Sequence, residues 1–333
     1  MLSRIADALY WMSRYIERAD NTARLLEINL LHMIEAEDVL TEPAMWRPIL
    51  RIGDHEPSYM ARYPDGVITG ARVLAHLTDE PTNDNGIRGS IRHARENARM
   101  VRDRLSREMW ECLNEIYLAL EDSPRRAPRG RGNVGRSAEF YNRLREEIAR
   151  FHGTTISTMM RGEPFSYYLL GTFVERADMT ARVLDVKYHI ILPNINMVGS
   201  PVDYYQWGAL LKSLSGFEAY RRQYHSGLRP VDVVAFAVFE THFPRSLRFC
   251  VNQLRWAIQV LDERPMESDL LTGPLQALLE GTSAAEIFEG GLHEFLQSFL
   301  DQVNVLHDEL AARYFEARLP ETDQSNGEQT EVQ

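Results

Sequence analysis

Apolar residues recur at alternating spacings of four and three along the first part of the chain: Ile5, Leu9, Met12, Ile16, Ala19, Ala23, Leu26, Leu30 and Met33. This heptad rhythm predicts one long helix that packs along a neighbour at a shallow angle. Ser3 is its expected N-cap. Pro43 suits a first helical position, and the segment to Ile52 continues it. Helical periodicity then predicts elements over 87–104 and 107–121, with Ser106 as cap or kink, over 137–151 and over 164–192. Further helices are expected near 202–225, 230–240, 244–262, 274–280 and 291–317. No segment alternates β-branched and polar residues as a half-buried strand would. Ten or so helices without a strand predict an all-α, multi-helix bundle.

The rhythm occurs twice. Residues 17–26 read ERADNTARLL and residues 175–184 read ERADMTARVL, identical at eight of ten positions. The second seam runs through Tyr167, Leu170, Val174, Ala177, Ala181, Leu184, Tyr188 and Ile191. Two weaker echoes follow in the same order. Trp46, Ile49 and Leu50 resemble Trp207, Leu210 and Leu211, and Ser90–Ile91–Arg92 with Arg99 resembles Ser246–Leu247–Arg248 with Arg255. The offsets are 158, 161 and 156 residues. They predict two pseudo-symmetric halves, about 1–150 and 160–318, within a single bundle over 1–318.

On a helix, Glu17, Asp20 and Arg24 form one stripe at i, i+3 and i+7, with Arg18 beside it. Glu175, Asp178, Arg182 and Arg176 repeat the arrangement. Small residues on the seams (Ala19, Ala23, Ala177, Ala181) allow close approach, so packing the two helices together brings these charges near one another. One reading is a reciprocal ion-pair cluster, such as Glu17 with Arg176 or Arg182 and Glu175 with Arg18 or Arg24, which sets register. The other is a polar pocket that holds a ligand, a peptide terminus or a partner's side chain. A second candidate is the segment HFPRSLRF. If Pro244 opens a helix, Arg245, Ser246 and Arg248 fall in its first turn, an anion-binding geometry. Its plain alternative is a helix start with surface arginines.

Composition narrows the chemistry. Lys+Arg is 37 against Asp+Glu 48, a formal net charge of −11, which argues against general nucleic-acid binding. Only Lys187 and Lys212 are lysines. Cys112 and Cys250 are too few for a disulfide framework or a thiolate metal centre. No Glu-x-x-His occurs, so the di-iron pattern of helical bundles is absent, and no metal site is expected. There is no P-loop, dinucleotide fingerprint or nucleophile constellation, so catalytic residues are not assignable from the pattern. Charges interrupt the apolar residues of 1–20, which predicts neither signal peptide nor membrane span, and a cytoplasmic protein. The Pro-, Gly- and Arg-rich stretch 122–136 reads as a mobile basic loop, either a solvated insertion or a contact for an anionic partner. Residues 319–333 read as a disordered tail.

The segments LSRIADALYWMSRYIERADNTARLL, ARENAR (94–99), Trp110-x-x-Leu113-Asn114, FVERADMTARVLDVKY (173–188), the Trp207 segment and Phe243-Pro-Arg-Ser246 resemble the bacterial alpha-E domain family nearly to residue 318. Two places depart from its pattern: Gly86 replaces a Ser in the element Asn83 to Ile87, and Glu240–Thr241 replace Asp-Pro. The resemblance implies association with a circularly permuted ATP-grasp protein, which would carry ATP and Mg. A transglutaminase-like peptidase and a proteasome-related hydrolase would belong to the same system. It implies a helical partner in ATP-dependent amide ligation or peptide modification, with no cofactor held by this chain. The repeated arginines would then hold substrate carboxylates. A stand-alone enzyme on a small amine or peptide, with the Glu-Arg carboxylates as acid and base, and a purely structural scaffold are the alternatives.

Overall fold

The computed structural model describes residues 2–35, 41–122, 134–191, 201–225, 227–262 and 265–316. Fifteen α-helices and no strand occur among the described residues. Helix α1 (Ser3–Glu35) begins at Ser3 rather than being capped by it, and the Ser3 hydroxyl donates to the Glu316 carbonyl. After α1 come α2 (Glu42–Ile52), α3 (Glu56–Arg62), α4 (Gly70–Thr78), α5 (Ile87–Met100), α6 (Arg107–Asp122) and α7 (Val134–Thr158). Helix α8 (Glu163–Ile191) opens a second run of α9 (Pro201–Ser213), α10 (Phe217–Gln223), α11 (Pro230–Phe239), α12 (Leu247–Leu261), α13 (Pro265–Glu280), α14 (Ala284–Gly290) and α15 (Leu292–Leu310). A short π-turn, Ala311–Phe315, follows α15.

Helix α1 packs along α5, α7 and α8, and α8 packs along α1, α12 and α15, so the two repeated helices form the axis of the bundle. Their seam residues Ile16, Ala19, Ala23, Leu26, Val174, Ala177, Ala181 and Leu184 are all fully buried. The two helices come close at Gly171, where an added Cβ would stand 2.1 Å from both the Tyr10 carbonyl oxygen and the Ser13 hydroxyl.

The same succession of elements follows each axial helix. Helices of 11, 7, 9 and 14 residues (α2–α5) are matched by helices of 13, 7, 10 and 15 residues (α9–α12). Trp46 and Trp207 are both buried, and Tyr59 and Tyr220 donate to the carbonyls of Val67 and Gly227 respectively. Asp54 and Ser215 both adopt φ 54°, an uncommon left-handed conformation for a side-chain-bearing residue. Ser215 interrupts the single helix expected over 202–225 and divides it into α9 and α10.

The third echo has a different register. Arg88 and Arg248 each donate to the last-turn carbonyl of a following helix, Leu120 and Leu279, so 248 answers to 88 rather than to 92. Position 246 then answers to 86. Ser246 caps α12 by accepting from the Phe249 N–H at 3.0 Å, whereas Gly86 at the start of α5 makes no side-chain cap bond. Helices α3, α4 and α14 were not expected, and α5 ends at Met100 instead of running to 104. The basic loop 122–136 keeps helix at both ends, Asp122 in α6 and Val134–Arg136 in α7; residues 123–133 and the tail 319–333 lie outside the described residues.

Candidate functional site

The charged decapeptides face each other across the α1–α8 contact. Arg176 donates to both oxygens of Glu17, Nε to Oε1 at 2.9 Å and Nη2 to Oε2 at 2.8 Å. Arg18 does the same to Glu175, Nε to Oε1 at 2.6 Å and Nη2 to Oε2 at 2.9 Å. Each motif therefore supplies the carboxylate of one bidentate pair and the guanidinium of the other. A third arginine completes each cluster from a different place. Arg245, in the turn before α12, donates to Glu17 at 2.9 Å, to Asn21 at 2.8 Å and to Asp20 at 2.8 Å. Arg14, on α1, donates to Glu175 at 2.9 Å. The position 158 residues on from Arg14 is Thr172, whose hydroxyl bonds the Tyr168 carbonyl instead.

These contacts fix the charge states. Burial pushes the Glu17 carboxyl up, but Arg176, Arg245 and His152 together outweigh it and hold the group far below the ordinary range. Glu175 follows the same logic: burial raises it, Arg18 and Arg14 overcome the rise, and it settles at about 2. Both carboxylates are ionised across the physiological range.

A tyrosine–histidine pair flanks each cluster. Tyr168 shares a hydrogen bond with His152 of α7, and Tyr10 shares one of 2.8 Å with His307 of α15. His152 Nε2 lies 3.6 Å from Glu17 Oε2. Burial holds the His152 imidazole below its ordinary value, Glu17 opposing the shift, so it is neutral at pH 7.

Two cavities open beside the axis. The larger, ≈330 Å³, lies between α1 and α7 and is lined by Asp20, Arg24, Asn142, Arg145, Glu146, Ala149, His152, Arg176 and Arg245. Its lining carries four guanidinium groups against two carboxylates. The smaller, ≈180 Å³, is lined in part by Arg14, Arg18 and Arg182 and by Asp54, Glu175 and Asp178, three of each sign. Arg24 and Arg182 differ accordingly. Arg182 is 31% exposed and donates to Asp178 at 2.7 Å. Arg24 is 5% exposed; one Nη reaches Asp20, while Nε and Nη1 have no partner. Burial, then the neighbouring charges of Arg245 and Arg145, lower the Arg24 guanidinium to about 9.

The eight repeated residues are thus brought to one axis, divided between two flanks. Arg245, Ser246 and Arg248 do not converge. Pro244 sits in a turn and α12 starts at Leu247, so Arg245 precedes the helix and turns to the Glu17 cluster, Ser246 caps, and Arg248 bonds Leu279. Both cysteines are buried, and burial pushes the Cys250 thiol up to about 12, so it is no thiolate at neutral pH. Among the described residues no group of three or more His, Cys, Asp or Glu side chains is placed to hold a metal ion, and no helix is long and apolar enough to cross a membrane. Arg18 Nη1 also donates to Asn85 Oδ1 at 2.5 Å, and sequence reasoning missed Asn85 along with Arg14, Arg145, His152 and His307. Tyr10 and Tyr168 were visible in principle, since they stand 158 residues apart like the motifs.

An all-α bundle built around two exchanged, buried Glu-Arg pairs defines the class of protein. The chain belongs to the Alpha-E family, described as a predicted alpha-helical domain with a conserved ER motif, which matches residues 1–315. Glu17–Arg18 and Glu175–Arg176 fit that description. Over 128 residues the chain is 27% identical to uncharacterized proteins of Mycobacterium bovis and Mycobacterium tuberculosis. The match spans 35% of this chain and 14% of each relative. No solved structure matches the chain.

Proposed function

We propose that this chain is a cytoplasmic helical subunit of an ATP-dependent amide- or peptide-ligating system. It acts with a circularly permuted ATP-grasp protein, which carries ATP and Mg, and it helps hold a substrate carboxylate. A transglutaminase-like peptidase or a proteasome-related hydrolase of the same system would act before or after ligation. One observation carries the choice of subunit over stand-alone enzyme: Glu17 and Glu175 are both locked in bidentate arginine pairs and held far more acidic than a free glutamate. A general acid or base works best with a pKa near the operating pH. These carboxylates stay ionised and cannot cycle a proton at neutral pH, which speaks against a stand-alone enzyme that uses them as acid and base and supports a role beside a partner.

Gentle affinity isolation of the chain from its host at low salt, followed by native mass spectrometry, tests this. The expected result is an ATP-grasp protein at fixed stoichiometry, with ATP-dependent amide formation that needs both components. A chain that turns over substrate alone, or a partner equally active without it, would overturn the reading.

A further inference from the structure

The reciprocal pairs satisfy Glu17, Glu175, Arg18 and Arg176, but they leave part of the flanking cavity unexplained. Arg24 Nε, Arg24 Nη1 and Arg145 Nε are buried donors without a hydrogen-bond partner. Buried polar groups in folded proteins are nearly always paired, because leaving one unpaired forfeits its hydration. Arg145 Nε stands 3.9 Å from Asp20 Oδ1, an ion pair beyond hydrogen-bond reach, whereas Arg24 Nε and Nη1 face no carboxylate of their own; all three share one cavity, with the surplus of guanidinium over carboxylate described above. Glu17 and Glu27 lie behind the lining and engage Arg176, Arg245 and Arg145, without reaching the free nitrogens of Arg24. The smaller cavity, on the other flank, has balanced charge, and its Arg182 is partly exposed to solvent.

We infer that the cavity between α1 and α7 is a binding site for a small anion, a carboxylate or a phosphoryl group, anchored by Arg24 and Arg145. This deepens the substrate-holding part of the reading above and makes no use of the ATP-grasp partner. Helix α7 presents Asn142, Arg145, Glu146, Ala149 and His152 to the cavity, a stripe at helical spacing, while α1 presents Asp20 and Arg24. Glu146 and Asn142 share a hydrogen bond of 2.8 Å at this rim, which leaves the arginines as the groups that face an incoming anion. At ≈330 Å³ the cavity lies at the small end of ligand pockets, roughly 300–1,000 Å³, so a whole small molecule enters with its anionic end on the arginines. Arg24 also sits against the positive charges of Arg245 and Arg145, a repulsion that a bound anion relieves.

The test uses the purified full chain, titrated calorimetrically with succinate and, separately, with inorganic phosphate at constant ionic strength, alongside thermal melts. Saturable binding is expected for at least one probe, and which one binds identifies carboxylate or phosphoryl as the anchor. A ligand that binds only the folded state raises Tm with its concentration. Arg24→Met and Arg145→Gln should each weaken binding at least about tenfold, because charged hydrogen bonds of this kind are among the strong ones. The surface change Arg143→Gln removes the same charge from α7 and should leave binding unaltered. If Arg24→Met fails to fold, Arg145→Gln, at a partly exposed position, still decides the matter. Absence of saturable binding by both probes, or equal weakening by Arg143→Gln, overturns the proposal. Either result leaves complex formation with an ATP-grasp protein to be judged separately.

Discussion

At the scale of single residues, buried ionisable groups make this fold sensitive to acid. Burial, with His76 and Arg18 nearby, lowers His55 from 6.5 to about 4. The unfolded chain therefore takes up this proton first, and stability falls as the pH drops from 6.5 towards 4, by roughly 3 kcal/mol for that shift. Glu175 acts in a lower window. Its folded value of about 2 lies below its ordinary 4.5, so its contribution is complete above pH 4.5 and is lost as the pH falls towards 2. Circular-dichroism melts should show a Tm that declines from pH 7 downwards in both windows. His55→Gln should make the decline between 6.5 and 4 shallower, with His152 still contributing to it, and leave the lower limb in place.

At the scale of elements, the axial contact depends on one residue without a side chain. A Cβ at Gly171 would strike a backbone carbonyl, which no rotamer change can move. Gly171→Ala should cost about 3 kcal/mol or more through overpacking, read as a fall in Tm. Gly208 of α9 is the internal comparison. Its nearest atoms to an added Cβ are side-chain carbons at 3.6 and 3.7 Å, so Gly208→Ala should be neutral or stabilising by up to about 1 kcal/mol. The sequence reveals the long helices because α1 and α8 run for eight or more turns, enough for a heptad rhythm to stand out. It conceals α3 and α14, which have seven residues each and no room for periodicity, and the break at Ser215 that sets α10 apart. The helix expected near 274–280 begins nine residues earlier, at Pro265, with Pro274 inside α13. The site divides the same way. The motif residues are legible because they occur twice, whereas Arg14 has Thr172 at its counterpart position, and Arg145 and His152 reach the site only through the packing of α7.

At the scale of the molecule, bonds between sequence-distant segments join the bundle at several points. Glu17 with Arg176, Arg18 with Glu175, Arg245 with Asp20 and Tyr10 with His307 all connect positions more than 150 residues apart. Chains longer than about 150 residues often unfold through intermediates. Here the shared axis should enforce one cooperative transition. Far-UV dichroism and tryptophan fluorescence, which includes the buried Trp46 and Trp207, should melt together. Breaking a buried pair by removing one partner typically costs about 3–5 kcal/mol. The double variant Arg18→Met, Arg176→Met should therefore lower the Tm steeply and separate the two signals.

The exchange of Glu-Arg pairs across α1 and α8 has the form of an interface between identical copies, in which each side offers the other what it receives. Were these two separate, identical chains, any change in one flank would be imposed on the other. Within a single polypeptide that coupling is gone. Position 245 carries an arginine where Asn85 stands on the other side, and Arg14 answers to Thr172. The shared pairs preserve the joint while the flanks vary independently, so one can keep its charges balanced and the other can retain donors that its own fold does not use.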